Sequence, residues 1–273
     1  MTTITHPADP PAVLVEQRIG PLDAVRHTLT LAWRSLVQIR HNPMELADLS
    51  LQPLMFVALF AYVFGGAIAG SPKAFLQFGL AGIICQNALF LTMNTGVALN
   101  NDITKGVFDR FRSLPIARSA PLGGRIVADL VRQVWSMAIL LGVGTLLGFR
   151  VLTNPVSVLG AVLLLLVFTC AFSWLPVLVA MLVDEPEKVM MLGFVVVFPL
   201  TFASSAFVPV ATMPGWLQAW AKINPITHAV DATRALALGG PTSGPLLQAI
   251  AWILGSLAVV VPLAIHRYRR VGQ

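Results

Sequence analysis

The sequence predicts an all-α membrane protein of six transmembrane helices with both termini in the cytoplasm, and three observations carry that prediction. Charged residues make up 11% of the 273 and the mean hydropathy is +0.79, whereas soluble domains carry about 25% charged residues. Apolar runs near the roughly 20 residues that a bilayer crossing requires occur at 51–69, 76–99, 127–148, 156–183, 188–207 and 246–266. The basic residues are distributed asymmetrically: of the 18 Lys and Arg, all but Lys73, Arg150, Lys222 and Arg234 precede span 1, join spans 2 and 3 or 4 and 5, or follow span 6. The positive-inside rule puts those segments on the cytoplasmic side.

Residues 1–20 offer no apolar core for a cleaved signal, since Pro7, Pro10, Pro11, Asp9 and Glu16 occupy it; a mobile tail is expected there. Residues 21–43 read as an amphipathic interfacial helix. Leu22, Val25, Leu29, Ala32, Leu36 and Ile39 share one face, His27, Arg26, Thr30 and Arg34 another, and Trp33 sits at the apolar edge. Simple anchoring and a contact with a partner are both compatible with that pattern. Asn42-Pro43 ends the helix, and 44–273 form the six-span membrane domain. Cys85 and Cys170 lie far apart inside apolar runs, as buried thiols rather than a disulfide framework or a metal set. The net charge of +6 follows sidedness and does not point to nucleic acid.

Span 2 carries Asn87, Asn94 and Asn101 at heptad spacing, with Phe90 and Ala98 on that face and Gln86 beside it. Polar side chains avoid lipid, so the face looks into the protein or a cavity; hydrogen bonding between helices satisfies it equally well.

The connection 101–126 then interrupts the hydrocarbon. At about 2.5–3.5 kcal/mol for each charge at a bilayer centre, Lys105, Asp109, Arg110, Arg112, Arg118 and Arg125 forbid a crossing. Val107, Phe108, Phe111 and Leu114 nevertheless form an apolar ridge on a short helix, rimmed by charge and stopped at Pro115. An element of that kind either docks in a partner's groove or anchors the loop at the interface.

Span 5 places Phe194, Phe198 and Phe202 on one ridge, with Thr201, Ser204 and Ser205 around Pro199. The ridge suits a large amphipathic or aromatic substrate, or ordinary packing. Residues 208–238 are apolar but broken by Pro209, Pro214, Gly215 and Pro225, too fractured to cross. With Trp216 and Trp220 at belt positions they read as short re-entrant or surface helices on the outer side. Asp231 and Arg234 stand i, i+3 as a local pair.

Two stretches, NNDITKGVFDRFRSLPIARSAPLGGR (100–125) and FPLTFASSAFVPVATMPGWLQAWAKINPITHAVDATRALALGG (198–240), resemble the permease subunits of type-2 ABC exporters, and within them the daunorubicin-resistance permeases. The resemblance implies that the loop after span 2 docks on a separate ATP-binding subunit through Gly106, Phe108, Asp109, Arg110, Phe111, Arg112, Leu114 and Pro115. It also implies that spans 2 and 5 line the path at a dimer interface, with Asn87, Phe90, Asn94, Phe194, Phe198, Phe202 and Ser205 as candidates. The outer lid would be 208–238, with Pro209, Met213, Pro214, Trp216, Asn224 and Pro225. The expected assembly has two ATP-binding subunits and a second permease, copy or paralogue, in a bacterial cell membrane, exporting a hydrophobic drug or lipid-like compound. No G-x-x-x-x-G-K-[ST] loop occurs in the chain, so ATP and Mg belong to the partner.

An ion-coupled secondary transporter is the alternative, but Asp129, Arg132 and Asp184 fall near span ends and no inverted repeat is evident. An intramembrane enzyme lacks its motif, with His6, His27, His41, His228 and His266 scattered.

Overall fold

The computed structural model describes residues 21–40, 43–106 and 120–270, and among them every regular element is helical. The order is α1 (Pro21–Arg40), α2 (Pro43–Ala58), a π-helical turn (Leu59–Phe64), α3 (Gly65–Ala69), α4 (Pro72–Thr104), α5 (Ala120–Leu146), α6 (Pro155–Phe172), α7 (Trp174–Ala180), α8 (Pro186–Phe202), a 3-10 turn (Val210–Thr212), α9 (Gly215–Ile223), α10 (Pro225–Leu238) and α11 (Ser243–Arg270).

Proline punctuates the chain. Pro72, Pro155, Pro186 and Pro225 each open a helix, where a missing N–H costs nothing and the fixed φ is already helical. Before three of them a polar side chain caps the first turn: Ser71 accepts from Ala74 N at 3.2 Å, Asn154 from Ser157 N at 2.8 Å and Asn224 from Ile226 N at 2.9 Å. Inside a helix the same residue removes a hydrogen bond, as Pro176 in α7 does by offering no N–H to Phe172, next to the break at Ser173 between α6 and α7.

Among the described residues five segments are long and apolar enough to cross a membrane: Leu49–Ala69, Pro72–Thr104, Gly123–Leu146, Pro155–Ala180 and Ser243–Arg267. They coincide with expected spans 1, 2, 3, 4 and 6. The expected span 188–207 is instead the 17-residue α8, ended at Ala203 after Pro199; at about 26 Å it is marginal for a hydrocarbon core of roughly 30 Å.

Helix α4 is central, packing against α3, α5, α6, α7, α8 and α10. Phe75, Leu80, Ile83 and Cys85 from α4, Leu140 from α5, Phe168 from α6, and Ile226, Ala229 and Val230 from α10 are buried together. The short helix α10 is thus part of the core, buried from Pro225 to Val230. A smaller cluster, Leu99, Val177, Ala180, Met181 and Val189, sits nearer the end of the bundle where the basic connection lies. Two glycines permit the closest approaches. A Cβ on Gly82 would collide with the Ala206 backbone, and one on Gly96 would lie 2.6 Å from the Pro176 carbonyl oxygen.

Helix α1 packs on α5, but not by the face its periodicity suggests. Thr28, Leu31 and Ala32 face Gly123 and Gly124, where a Cβ on Gly124 would lie 2.8 Å from Leu31 Cβ and 2.9 Å from the Thr28 carbonyl. Ala32 is buried, whereas Leu29, from the same predicted face, is exposed.

Candidate functional site

Of the residues expected to dock a partner, Phe108, Asp109, Arg110, Phe111, Arg112, Leu114 and Pro115 lie outside the described residues. Gly106 is described and turns the chain out of α4 at φ +65°, its N–H donating to the Ile103 carbonyl at 3.1 Å; only glycine adopts that φ freely.

The helices on either side of this connection are tied at three levels. At its base Arg125 Nη1 meets Asp102 Oδ2 at 2.8 Å. Further along, Thr95 Oγ1 donates to Asp129 Oδ2 at 2.5 Å, and Arg132 holds the other carboxylate oxygen at 2.6 Å. Deeper still, Asn87 Nδ2 donates to Ser136 Oγ at 2.7 Å. Asp129, Gln133 and Ser136 are buried at i, i+4 and i+7 on one side of α5, and Gln133 accepts from Thr169 of α6. A carboxyl group in a hydrophobic interior needs polar partners, and Arg132 and Thr95 supply them. Asn100 adds a second direction by donating to the Ala180 and Val183 carbonyls at 2.9 and 2.7 Å, which secures the chain after α7 to α4.

Sequence reading singled out Asn87 but missed Thr95, Asp102, Asn100, Arg125 and Ser136, and it set Asp129 and Arg132 aside as lying near a span end. The available signal was the i, i+3 acid–base pair inside an apolar run, which must turn inward.

The polar stripe and the phenylalanine ridge do meet. Phe90 of α4 makes an edge contact with Phe194 of α8 at 6.1 Å between centroids. Beyond it Phe194–Phe198 and Phe202–Phe207 stack at 4.9 and 5.0 Å, Phe198–Phe202 meet at a tilt at 4.3 Å, and Phe207 stacks on Phe60 of the π-helical turn at 4.6 Å. This aromatic row joins three segments, and its α8 part is open: Phe194 is 47% and Phe198 39% exposed. Asn94 is exposed as well, whereas Asn87 is committed to Ser136. Ser205 is not on an open surface; buried, it donates to Asp231 Oδ1 at 2.7 Å.

That bond belongs to a clamp fixing α10 to its neighbours. Arg234 pairs with Asp231 at 2.7 Å, donates to the Phe78 carbonyl at 3.0 Å and to the Ser205 carbonyl at 2.9 Å, and lies 4.0 Å over the Phe78 ring. The Asp231–Arg234 pair therefore also holds α4 and the break after α8. Asn224, besides capping α10, donates to the Leu200 and Ala203 carbonyls at 2.6 and 3.1 Å. Those carbonyls are left open where α8 ends. The α5–α6 connection closes over the other end of α10, with Thr153 bonded to the Leu236 carbonyl at 2.7 Å. Pro209 and Pro214 flank the 3-10 turn, Met213 follows it, Pro225 opens α10, and Trp216 on α9 is 75% exposed.

Residues 26–238 match the ABC-2 type transporter family. The chain is 41% identical over 253 residues to the daunorubicin resistance ABC transporter permease protein DrrB1 of Streptomyces coeruleorubidus, covering 93% of this chain and 89% of that one. It is 26% identical over 251 residues to the probable doxorubicin resistance ABC transporter permease protein DrrC of Mycobacterium tuberculosis, covering 91% and 90%. A third relative, the doxorubicin resistance ABC transporter permease protein DrrB of Mycobacterium tuberculosis, is 26% identical over 188 residues, 69% of this chain and 64% of the relative.

Proposed function

The chain belongs to the ABC-2 type transporter family, a multi-pass permease of the bacterial plasma membrane, and on that premise we propose that it exports a hydrophobic or amphipathic compound with an anthracycline-like planar portion. Daunorubicin and doxorubicin are in the names of its relatives, and the half-open row of rings on α8 offers stacking surfaces for flat aromatic molecules. ATP is hydrolysed by a separate subunit present in two copies, and a second permease, copy or paralogue, completes the path.

In this reading α8 is span 5 and completes the six crossings, both termini and residues 101–126 face the cytoplasm, and 208–238 form the lid on the outer side. Residues 1–20, 21–43 and 44–273 are tail, interfacial helix and permease domain. Gly106 through Pro115 receive the motor's motion. The observation that carries the coupling half of the proposal is the triple tie between α4 and α5: Asp102–Arg125, Thr95–Asp129 and Asn87–Ser136 link the helices that enter and leave the docking segment. A displacement of that segment then moves both helices together instead of splaying them. Asp129 is held from two sides by Thr95 and Arg132, a structural tie rather than an ion carrier's free carboxylate.

The test is co-reconstitution with the cognate ATP-binding subunit in proteoliposomes. Daunorubicin should accumulate on one side in an ATP-dependent manner and stimulate hydrolysis, and Phe108→Ala/Arg110→Ala should abolish both while inserting normally. Transport that persists without ATP but follows an imposed proton gradient would replace this reading with an ion-coupled transporter.

A further inference from the structure

Helix α1 has a second surface that its seat on α5 leaves open. With Thr28, Leu31 and Ala32 turned to Gly123 and Gly124, the residues pointing away are Arg26, Leu29, Thr30, Trp33 and Arg34, all exposed. Leu29 (55% exposed) and Trp33 (69%) stand one turn apart. Arg26, Thr30 and Arg34 run beside them at i, i+4 and i+8, a basic row flanking an apolar one. Thr30 spends its hydroxyl on the Arg26 carbonyl at 2.9 Å, and neither arginine has an acidic partner among the described residues.

The position of this edge is fixed by what α1 touches. Gly123 is the first residue of the crossing segment Gly123–Leu146, and α1 gives way within three residues to α2, whose apolar run begins at Leu49. The edge therefore lies at the level where two spans emerge, with an aromatic and an aliphatic side chain at headgroup depth and two guanidinium groups alongside. Phosphate oxygens suit guanidinium forks, and the cytoplasmic leaflet is the negatively charged one.

We propose that the Arg26–Leu29–Trp33–Arg34 edge of α1 is a binding surface for anionic phospholipid headgroups of the cytoplasmic leaflet. Zwitterionic lipid satisfies Leu29 and Trp33 but leaves the arginine row facing compensated headgroups; an acidic headgroup satisfies both rows. Because the opposite side of α1 lies against Gly124, where even a methyl group would clash, a lipid that holds α1 also holds the first turns of α5. This goes beyond the transport reading and rests only on its placement of the N-terminus at the cytoplasmic face, not on what is transported.

The experiment uses the full chain in phosphatidylcholine nanodiscs carrying an equal mole fraction of brominated phosphatidylglycerol or brominated phosphatidylcholine. The Trp33 signal is the difference between the native chain and Trp33→Phe. Brominated phosphatidylglycerol should quench it roughly three- to fivefold more strongly, from the attraction of basic side chains for anionic surfaces. The preference should weaken as salt is raised, vanish in Arg26→Gln/Arg34→Gln and survive in Arg26→Lys/Arg34→Lys. Continued quenching by brominated phosphatidylcholine in the glutamine variant shows that α1 is still seated. Equal quenching of the native chain by the two lipids would overturn the proposal. So would a Trp33 insensitive to both lipids but shielded from aqueous iodide only after the ATP-binding subunit is added, which would make the edge a protein-docking surface.

Discussion

Asp102 and Arg125, 23 residues apart in the chain, close on each other at 2.8 Å and tie the end of α4 to the start of α5. Both are partly exposed, so the pair adds little to stability; its effect is on geometry. Arg125→Gln should leave expression and basal ATPase of the assembled complex unchanged while lowering drug-stimulated hydrolysis severalfold. The exchange Asp102→Arg/Arg125→Asp should recover part of it, and failure of the exchange together with a normal single variant would remove the pair from the coupling route.

The Asp129 tie is buried and carries energy as well as shape. Asp129→Ala takes the carboxylate from the partly exposed Arg132 and the acceptor from Thr95, a loss of about 2 kcal/mol. Thr95→Val removes one donor and costs about 1 kcal/mol. Thermal unfolding in detergent should order the proteins as native, then Thr95→Val, then Asp129→Ala.

Gly82 faces the Ala206 backbone with no room for a methyl group, whereas Gly142 has open space around it. Gly82→Ala should cost about 3 kcal/mol through overpacking against main chain and should reduce the amount of correctly inserted protein. Gly142→Ala, by contrast, should leave both yield and melting temperature at or slightly above the native level.

Burial holds the His228 imidazole below the ordinary histidine range, with the Lys222 carbonyl and the Asp231 carboxylate pulling the other way. A histidine whose folded value lies below its unfolded value binds fewer protons when folded, so its burial is without penalty above about pH 6.5 and stability drains as pH falls below that toward the folded value. Melting temperature measured from pH 7.5 to 5.0 should decline, and His228→Gln should flatten the part of the decline due to α10.

Phe194 and Phe198 are half-exposed, so removing their rings costs little packing. Phe194→Ala/Phe198→Ala should melt within a few degrees of the native chain, yet lose transport of planar aromatic compounds more than of aliphatic ones, as read by a competition assay in vesicles. Equal loss for both classes would make the row a packing feature.

Proline and capping residues act locally, and Ser71-Pro72, Asn154-Pro155 and Asn224-Pro225 each open a helix in the structure, a signal that the apolar runs 76–99 and 156–183 did not use. The phenylalanine ridge was legible, since i, i+4 spacing stacks rings on one face. What periodicity does not contain is the identity of the neighbour. It assigns Leu29 and Ala32 to one face of α1, yet the flat Gly123-Gly124 surface admits the Thr28–Leu31–Ala32 side and leaves Leu29 out. The Asp129–Thr95 and Arg234–Phe78 bonds join residues 34 and 156 positions apart, and no local pattern specifies such a distance. The π-helical turn at Leu59–Phe64 likewise follows from how span 1 meets its neighbours, with Phe60 packed on Phe75 and Phe207.

Helix α4 is one unbroken rod from Pro72 to Thr104, and Gly82 is its closest point of contact with the chain beyond α8. Taken as a fulcrum, that contact divides the rod unequally, with about 33 Å toward Thr104 and about 15 Å toward Pro72. A tilt of about 5° carries Thr104 about 3 Å and Pro72 little more than 1 Å the opposite way. The arms thus give a mechanical advantage of about two: a broad, weak displacement at Thr104 becomes a short, forceful one at Pro72, and Phe78, bonded to Arg234 of α10, rides on that shorter arm.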